Sequence, residues 1–201
     1  MRVSKYLFFP ISLVYLEIVF HIYINMNPDY ILVILPFALS MGFLFAFFTG
    51  FFTKWIHRIA VNIVTGLMCI VFCVELICRA VLKQYYQLFS VMSTAADNRL
   101  TDYKDAVIQG ILNNIFGILA LLLPFIFIII LGKKMKITGG DRRLSYIITT
   151  FILAVAFHIT GIAAINGPWA GDFTPKTLYY TDTYVEDQVE QLGIITMLQF
   201  L

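Results

Sequence analysis

The sequence predicts an all-α integral membrane protein with five transmembrane helices, the N-terminus inside and a C-terminal tail outside. Three observations predict it. The chain of 201 residues is 60% hydrophobic and only 13% charged, against roughly 25% charged residues in soluble domains, and its mean hydropathy is +0.86. Its apolar residues gather into five runs, about 6–24, 30–52, 59–82, 106–131 and 144–165, each about long enough to cross a bilayer. Its basic residues gather in alternate connections, which sets the orientation.

The first span is read as a retained anchor. It exceeds a typical signal-peptide core, and Ile22-Tyr23-Ile24-Asn25 is no small-residue cleavage site. Pro10 falls in its first turns, where proline is tolerated. Asn25 to Asp29 is a tight turn, with Asp29 as the cap of the second span. That span contains Pro36, a kink site, and the run Phe43, Phe45, Phe47, Phe48, Phe51, Phe52, which suits lipid contact. Thr53 to Arg58 reads as a short basic loop with an interfacial Trp55.

The third span continues at helical period through Leu82, Tyr85, Tyr86 and Phe89, so its helix is predicted to run past the membrane surface. Ser90 to Asp105 is the longest internal connection, and Thr101-Asp102 resembles a helix cap. The fourth span carries Asn113 and Asn114 near its start and Pro124 within it. A basic loop with a glycine turn, 132–143, leads to the fifth span, which Asn166-Gly-Pro168 ends. Residues 1–168 therefore form the transmembrane domain. Residues 169–201 read as an acidic extracellular linker, with an amphipathic helix from Thr183 that runs into the apolar stretch Leu192 to Leu201. That apolar finish is read as the lead-in to a further domain absent from this chain.

With the N-terminus inside, the cytoplasmic segments hold nine basic residues and the outer segments and outer helix ends hold five; the first outer turn has none. This orientation places Glu17, His21, Glu75, Arg79, Asn113, Asn114 and His158 in the outer half of the membrane, and only Asn62 at comparable depth in the inner half. An ionised side chain at the bilayer centre costs about 2.5–3.5 kcal/mol on the insertion scale, so each needs a partner, a cavity or the interface. Glu75 and Arg79, four apart on one helix face, are the centre of this set. Two readings stand side by side. In one, the cluster lines an outward-facing cavity or seats an outer-leaflet headgroup, with Arg79 suited to phosphate. In the other, Glu75 pairs with Arg79 and ties the third helix to the first, Arg79 snorkels, and Asn113, Asn114 and His158 hydrogen-bond within the bundle. The lipid-headgroup candidates are Glu17, His21, Glu75, Arg79, Asn113 and His158; no catalytic or metal residue is assigned.

Cys69, Cys73 and Cys78 match neither a zinc spacing nor a disulfide framework. No phosphate-binding loop, dinucleotide fingerprint, zinc-protease motif or serine-hydrolase elbow occurs. The short basic stretches are explained by topology, so nucleic acid is not an expected partner. No inverted repeat is visible, and the inner half of the spans is too apolar for a polar path, which disfavours a small transporter.

Three strings resemble the N-terminal membrane part of the lipoteichoic acid synthase-like family, the membrane-anchored sulfatase/phosphoglycerol transferases of Gram-positive bacteria. They are Phe9-Pro-Ile-Ser-Leu-Val-Tyr-Leu-Glu-Ile-Val-Phe-His21, Lys83-Gln-Tyr-Tyr-Gln-Leu-Phe-Ser90, and Leu178 to Thr196 with its Val-Glu-Gln-Leu-Gly-Ile-Ile-Thr ending. The resemblance covers nearly the whole chain. It implies a multi-pass anchor in the plasma membrane, with a role in cell wall biogenesis and an extracellular sulfatase-like domain as missing or separate partner. That domain works with a threonine nucleophile and a divalent metal, often Mn2+, and moves glycerol phosphate from phosphatidylglycerol. No catalytic threonine or metal ligand maps onto this sequence, so the chain needs no cofactor of its own and is expected to be inactive alone. Its expected partner is membrane lipid, phosphatidylglycerol in particular. The alternative is a stand-alone, non-enzymatic binding or assembly subunit of the cell envelope.

Overall fold

The structure is a computed structural model that describes residues 3–25, 27–82, 104–132, 144–169, 174–181 and 185–198. All regular structure among them is helical: α1 (Val3–Tyr23), a 3-10 turn (Pro28–Tyr30), α2 (Ile31–Gly50), α3 (Lys54–Leu82), α4 (Lys104–Asn113), α5 (Ile115–Leu131), α6 (Leu144–Ile165), α7 (Pro175–Tyr179), α8 (Val185–Leu192) and α9 (Ile194–Leu198). Three helices are long and apolar enough to cross a membrane, or four if the bent pair α4–α5 is one span, and α1 adds the shorter apolar stretch Leu7–Tyr23. The chain is a multi-pass membrane protein by these features.

Helix α2 lies between α1 and α6, while α3 pairs with α5 and α1 joins the two halves. Apolar burial cannot drive helices together in lipid, so close backbone approach and polar ties carry the packing. The α1–α2 crossing shows the first. A Cβ added to Gly42 would lie 2.4 Å from Pro10 Cα, so only glycine fits. The second appears where Ser40 Oγ donates to the Ala154 carbonyl at 2.9 Å, tying α2 to α6, and where Tyr15 Oη donates to the Ala120 carbonyl at 3.0 Å, tying α1 to α5. Helices α2 and α6 run antiparallel, with Tyr146 against Gly50 and Phe37 against Gly161. Phe20 packs edge-on against Phe72 at 5.8 Å, and Gly117 sits against Tyr23 and Leu76. The end of α1, the start of α2, the end of α3, the start of α5 and the end of α6 thus share one end of the bundle, which carries the C-terminal helices.

Several boundaries differ from the sequence reading, each for a local reason. The loop expected at 53–58 is mostly helix, because α3 begins at Lys54. Its His57 is buried, and Nδ1–H donates to the Thr49 carbonyl at 2.7 Å, a second donor beside the Phe52 N–H at the end of α2. Asn27, not Asp29, caps the turn before α2, accepting from the Asp29 N–H at 3.0 Å. The phenylalanine stripe is divided. Phe48, Phe51 and Phe52 are exposed, but Phe43 is buried and stacks on Phe157 at 5.6 Å, and Phe45 packs edge-on against Phe9 at 5.9 Å.

The fourth run is not one straight helix. It breaks at Asn114, and the two halves are bent by 76°. Asn114 takes φ −111°, ψ 20°, and its side-chain amide donates to the Gly110 carbonyl at 2.9 Å, the backbone competition that makes asparagine a poor interior helix residue. The expectations for Lys83 to Ser90, for Thr101-Asp102 and for residues 133–143 lie outside the described residues.

Replacing Gly42 by valine is expected to destabilise the bundle by about 1–3 kcal/mol through overpacking against the Pro10 backbone. Thermal unfolding in detergent reads this, and Phe48→Leu at an exposed site is expected to leave the midpoint unchanged.

Candidate functional site

The polar residues of the spans are organised by the C-terminal helices. Where the sequence predicts one amphipathic helix for the tail, the structure has two short helices broken at Gly193. Helix α8 ends at Gly193, whose φ of +83° lies in the left-handed region. Glycine is required there twice over. The conformation is strained for any other residue, and an added Cβ would meet Glu17 Oε1 and Ile34 Cγ2, each at 2.9 Å. After the turn, α9 enters the bundle. Ile194, Ile195 and Met197 are buried in one cluster with Leu13, Leu16, Phe20, Ala38 and Cys69. Each such side chain contributes about 1.5–3 kcal/mol when fully buried from water.

A helix start buried among apolar side chains leaves N–H groups without water. Glu17 supplies the acceptor. It is 1% exposed, and its Oε1 accepts the Ile195 N–H at 2.7 Å, across 178 residues of chain. Oε2 has no hydrogen-bond partner among the described residues and lies 3.6 Å from His21 Nδ1. His21 Nδ1–H instead donates to the Glu17 carbonyl at 2.8 Å. The Glu190 backbone on α8 approaches the same imidazole. Glu17 and His21 therefore sit together against α8 and α9.

His158 stands across α2 from this pair. Its ring packs edge-on against Phe37 at 5.5 Å, and the Tyr179 phenol of α7 reaches its Nε2 at 3.5 Å. Burial, then the neighbouring Tyr180, pushes the Tyr179 phenol above its ordinary value, so it keeps the proton it can donate. Tyr179 also stacks on Phe37 at 5.6 Å, while Leu178 and Leu192 pack with Val33, Phe37 and Ile165. Glu75 is buried and Arg79 is half-buried one turn further along α3; both are engaged. Asn113 is exposed at the end of α4.

Three of the six candidates, Glu17, His21 and His158, thus hold the C-terminal helices, at two places on either side of α2. Glu75 and Arg79 occupy the end of α3, and Asn113 the bend. Sequence reasoning does not single out Gln188, which is buried and donates from Nε2 to the carbonyls of Leu178, at 3.0 Å, and Thr181, binding α7 to α8. Its only sequence signal is a polar residue within the amphipathic period. Among the described residues no group of three or more His, Cys, Asp or Glu side chains could hold a metal ion. Glu17 and His21 approach each other without a third such ligand among those residues.

Glu17→Ala is expected to free α9, leaving the Ile195 N–H unsatisfied at a cost of about 1–3 kcal/mol. Glu17→Gln keeps an acceptor oxygen and is expected to retain the docked α9. Hydrogen-exchange protection of the Ile195 amide distinguishes the two. No family model, curated protein or solved structure matches this chain.

Proposed function

We propose that this chain is the membrane-anchoring and lipid-presenting domain of a lipoteichoic acid synthase-like sulfatase/phosphoglycerol transferase. In this reading five spans cross the plasma membrane, with the N-terminus inside and the C-terminal segment outside. The observation that carries it is the meeting of two strings on which the resemblance rests. Glu17 of the first accepts the N–H of Ile195 in the third. Segments separated by nearly the whole chain act as one latch.

The latch supports the reading physically. An enzyme that works on a lipid headgroup must be held at a set height above the leaflet. A tail tied by Glu17 on one side of α2 and by His158 and Tyr179 on the other has little freedom to swing. Arg79, at the same end of the bundle, provides the charge for an anionic headgroup, since guanidinium binds phosphate bidentately. Group transfer and its divalent metal belong, in this reading, to the extracellular sulfatase-like domain.

The test uses the purified chain in nanodiscs of phosphatidylcholine with or without phosphatidylglycerol. Phosphatidylglycerol is expected to be enriched around the protein. Arg79→Ala is expected to weaken that preference by about 1.5–3 kcal/mol, roughly ten-fold or more, as for a lost hydrogen bond to a charged group. Unchanged binding with unchanged stability removes Arg79 from lipid contact. Release of glycerol phosphate by the chain alone refutes the division of labour. A tag after Leu201 that is reached only from the cytosol refutes the orientation.

A further inference from the structure

The bend at Asn114 creates a surface that the bundle does not use. Helix α5 has 17 residues, or about 25 Å of rise, close to the thickness of the hydrocarbon core. Its 17 residues lie at the short end of the about 17–25 that span a bilayer. With 76° between their axes, α4 runs close to the membrane plane when α5 stands near the normal. One flank of α4 is fixed to the end of α3. Gly110 is buried there, and a Cβ on it would lie 2.6 Å from Val81 Cγ2. The Asn114 amide on the Gly110 carbonyl holds the bend itself.

The remaining surface of α4 is divided lengthwise. Asp105, Gln109 and Asn113, spaced four apart, form an exposed polar stripe. Beside it, Ile108 is 44% exposed and Leu112 is 64% exposed. Past the bend, exposed apolar residues resume at the start of α5, where Ile115 is 39% and Phe116 76% exposed. The outward face of α5 continues them with Leu119, Leu123 and Ile130, all exposed.

We infer that α4 is a membrane-surface helix seated in the headgroup layer of the leaflet at the tail-bearing end of the bundle. Ile108 and Leu112 rest on the acyl chains, and the Asp105–Gln109–Asn113 stripe faces headgroups and water. The occupant of the exposed face is lipid, because Ile108 and Leu112 are followed in the chain by the exposed apolar residues of α5, which face the bilayer. A re-entrant path is disfavoured, since it would sink a carboxylate and two amides of the exposed stripe into hydrocarbon. Divided polar and apolar faces of this kind are the mark of helices that lie in the interface. Arg79, between the α4-contacting positions Ile77 and Val81 on α3, stands at the same height.

The experiment places a photoreactive benzophenone residue singly at positions 109, 112 and 116 of the full chain, in nanodiscs of phosphatidylcholine and phosphatidylglycerol. Lipid adducts by mass spectrometry are expected to be abundant at 112 and 116 and several-fold lower at 109. All three sites are exposed, and position 108 serves as a second apolar probe if 112 perturbs folding. Equal lipid labelling at 109 and 112 would overturn the proposal in favour of a buried, re-entrant helix. Crosslinks from 112 to a second copy of the chain would overturn it in favour of a protein interface. Loss of lipid adducts at 112 with retention at 116 would overturn it by showing that the bend carries α4 out of the membrane.

Discussion

The hydrogen bond from the Ile195 N–H to the Glu17 carboxyl oxygen is the interaction on which the architecture turns. A short helix whose first turn is buried needs acceptors for N–H groups that cannot reach water. A carboxylate buried in an apolar bundle needs donors for the same reason. Each is unfavourable alone, and together they are compatible. The pairing also dictates the turn beside it. Gly193 has to be glycine, because its backbone is left-handed and the Glu17 oxygen occupies the space of a side chain.

Once that bond is made, the rest of the tail has little freedom. Helices α8 and α9 lie against α2, and α9 also reaches α1, while Gln188 draws α7 onto α8. Helix α7 then brings Tyr179 to His158. The tail is held from both sides of α2, which itself lies between α1 and α6. Polar groups within the spans act mostly on backbone: Tyr15 on Ala120, Ser40 on Ala154, and His57 on Thr49. This is how helices associate where the surrounding medium is as apolar as their own side chains.

The polar end of the bundle therefore serves two physical purposes. Glu17, His21 and His158 are turned inward to position the tail. Arg79 and the α4 bend lie at the rim, where the protein, as proposed, meets lipid headgroups.

The class of molecule was legible in the sequence, because apolar run length and charge distribution are local properties that a bilayer acts on directly. The last membrane helix was legible to the residue, Leu144–Ile165, since nothing competes with its apolar period. That Glu17 and His158 need partners was legible too, because an ionisable residue within an apolar run is anomalous wherever it packs. Their partners were not. The acceptor role of Glu17 depends on an amide 178 residues away, and no periodicity encodes that distance. Composition likewise could not show that part of the phenylalanine stripe faces other helices, or that His57 completes α2 instead of standing in a loop. The bend at Asn114 was not legible, because residues 106–131 read as one apolar run; the structure shows it beside the Asn114 bond to the Gly110 carbonyl and the Gly110 contact with Val81. The sequence by itself determined what must avoid water and what must not be left alone in lipid. The tertiary structure decided which group answers which, because a buried hydrogen bond is specified by the meeting of two distant pieces of chain and by neither alone.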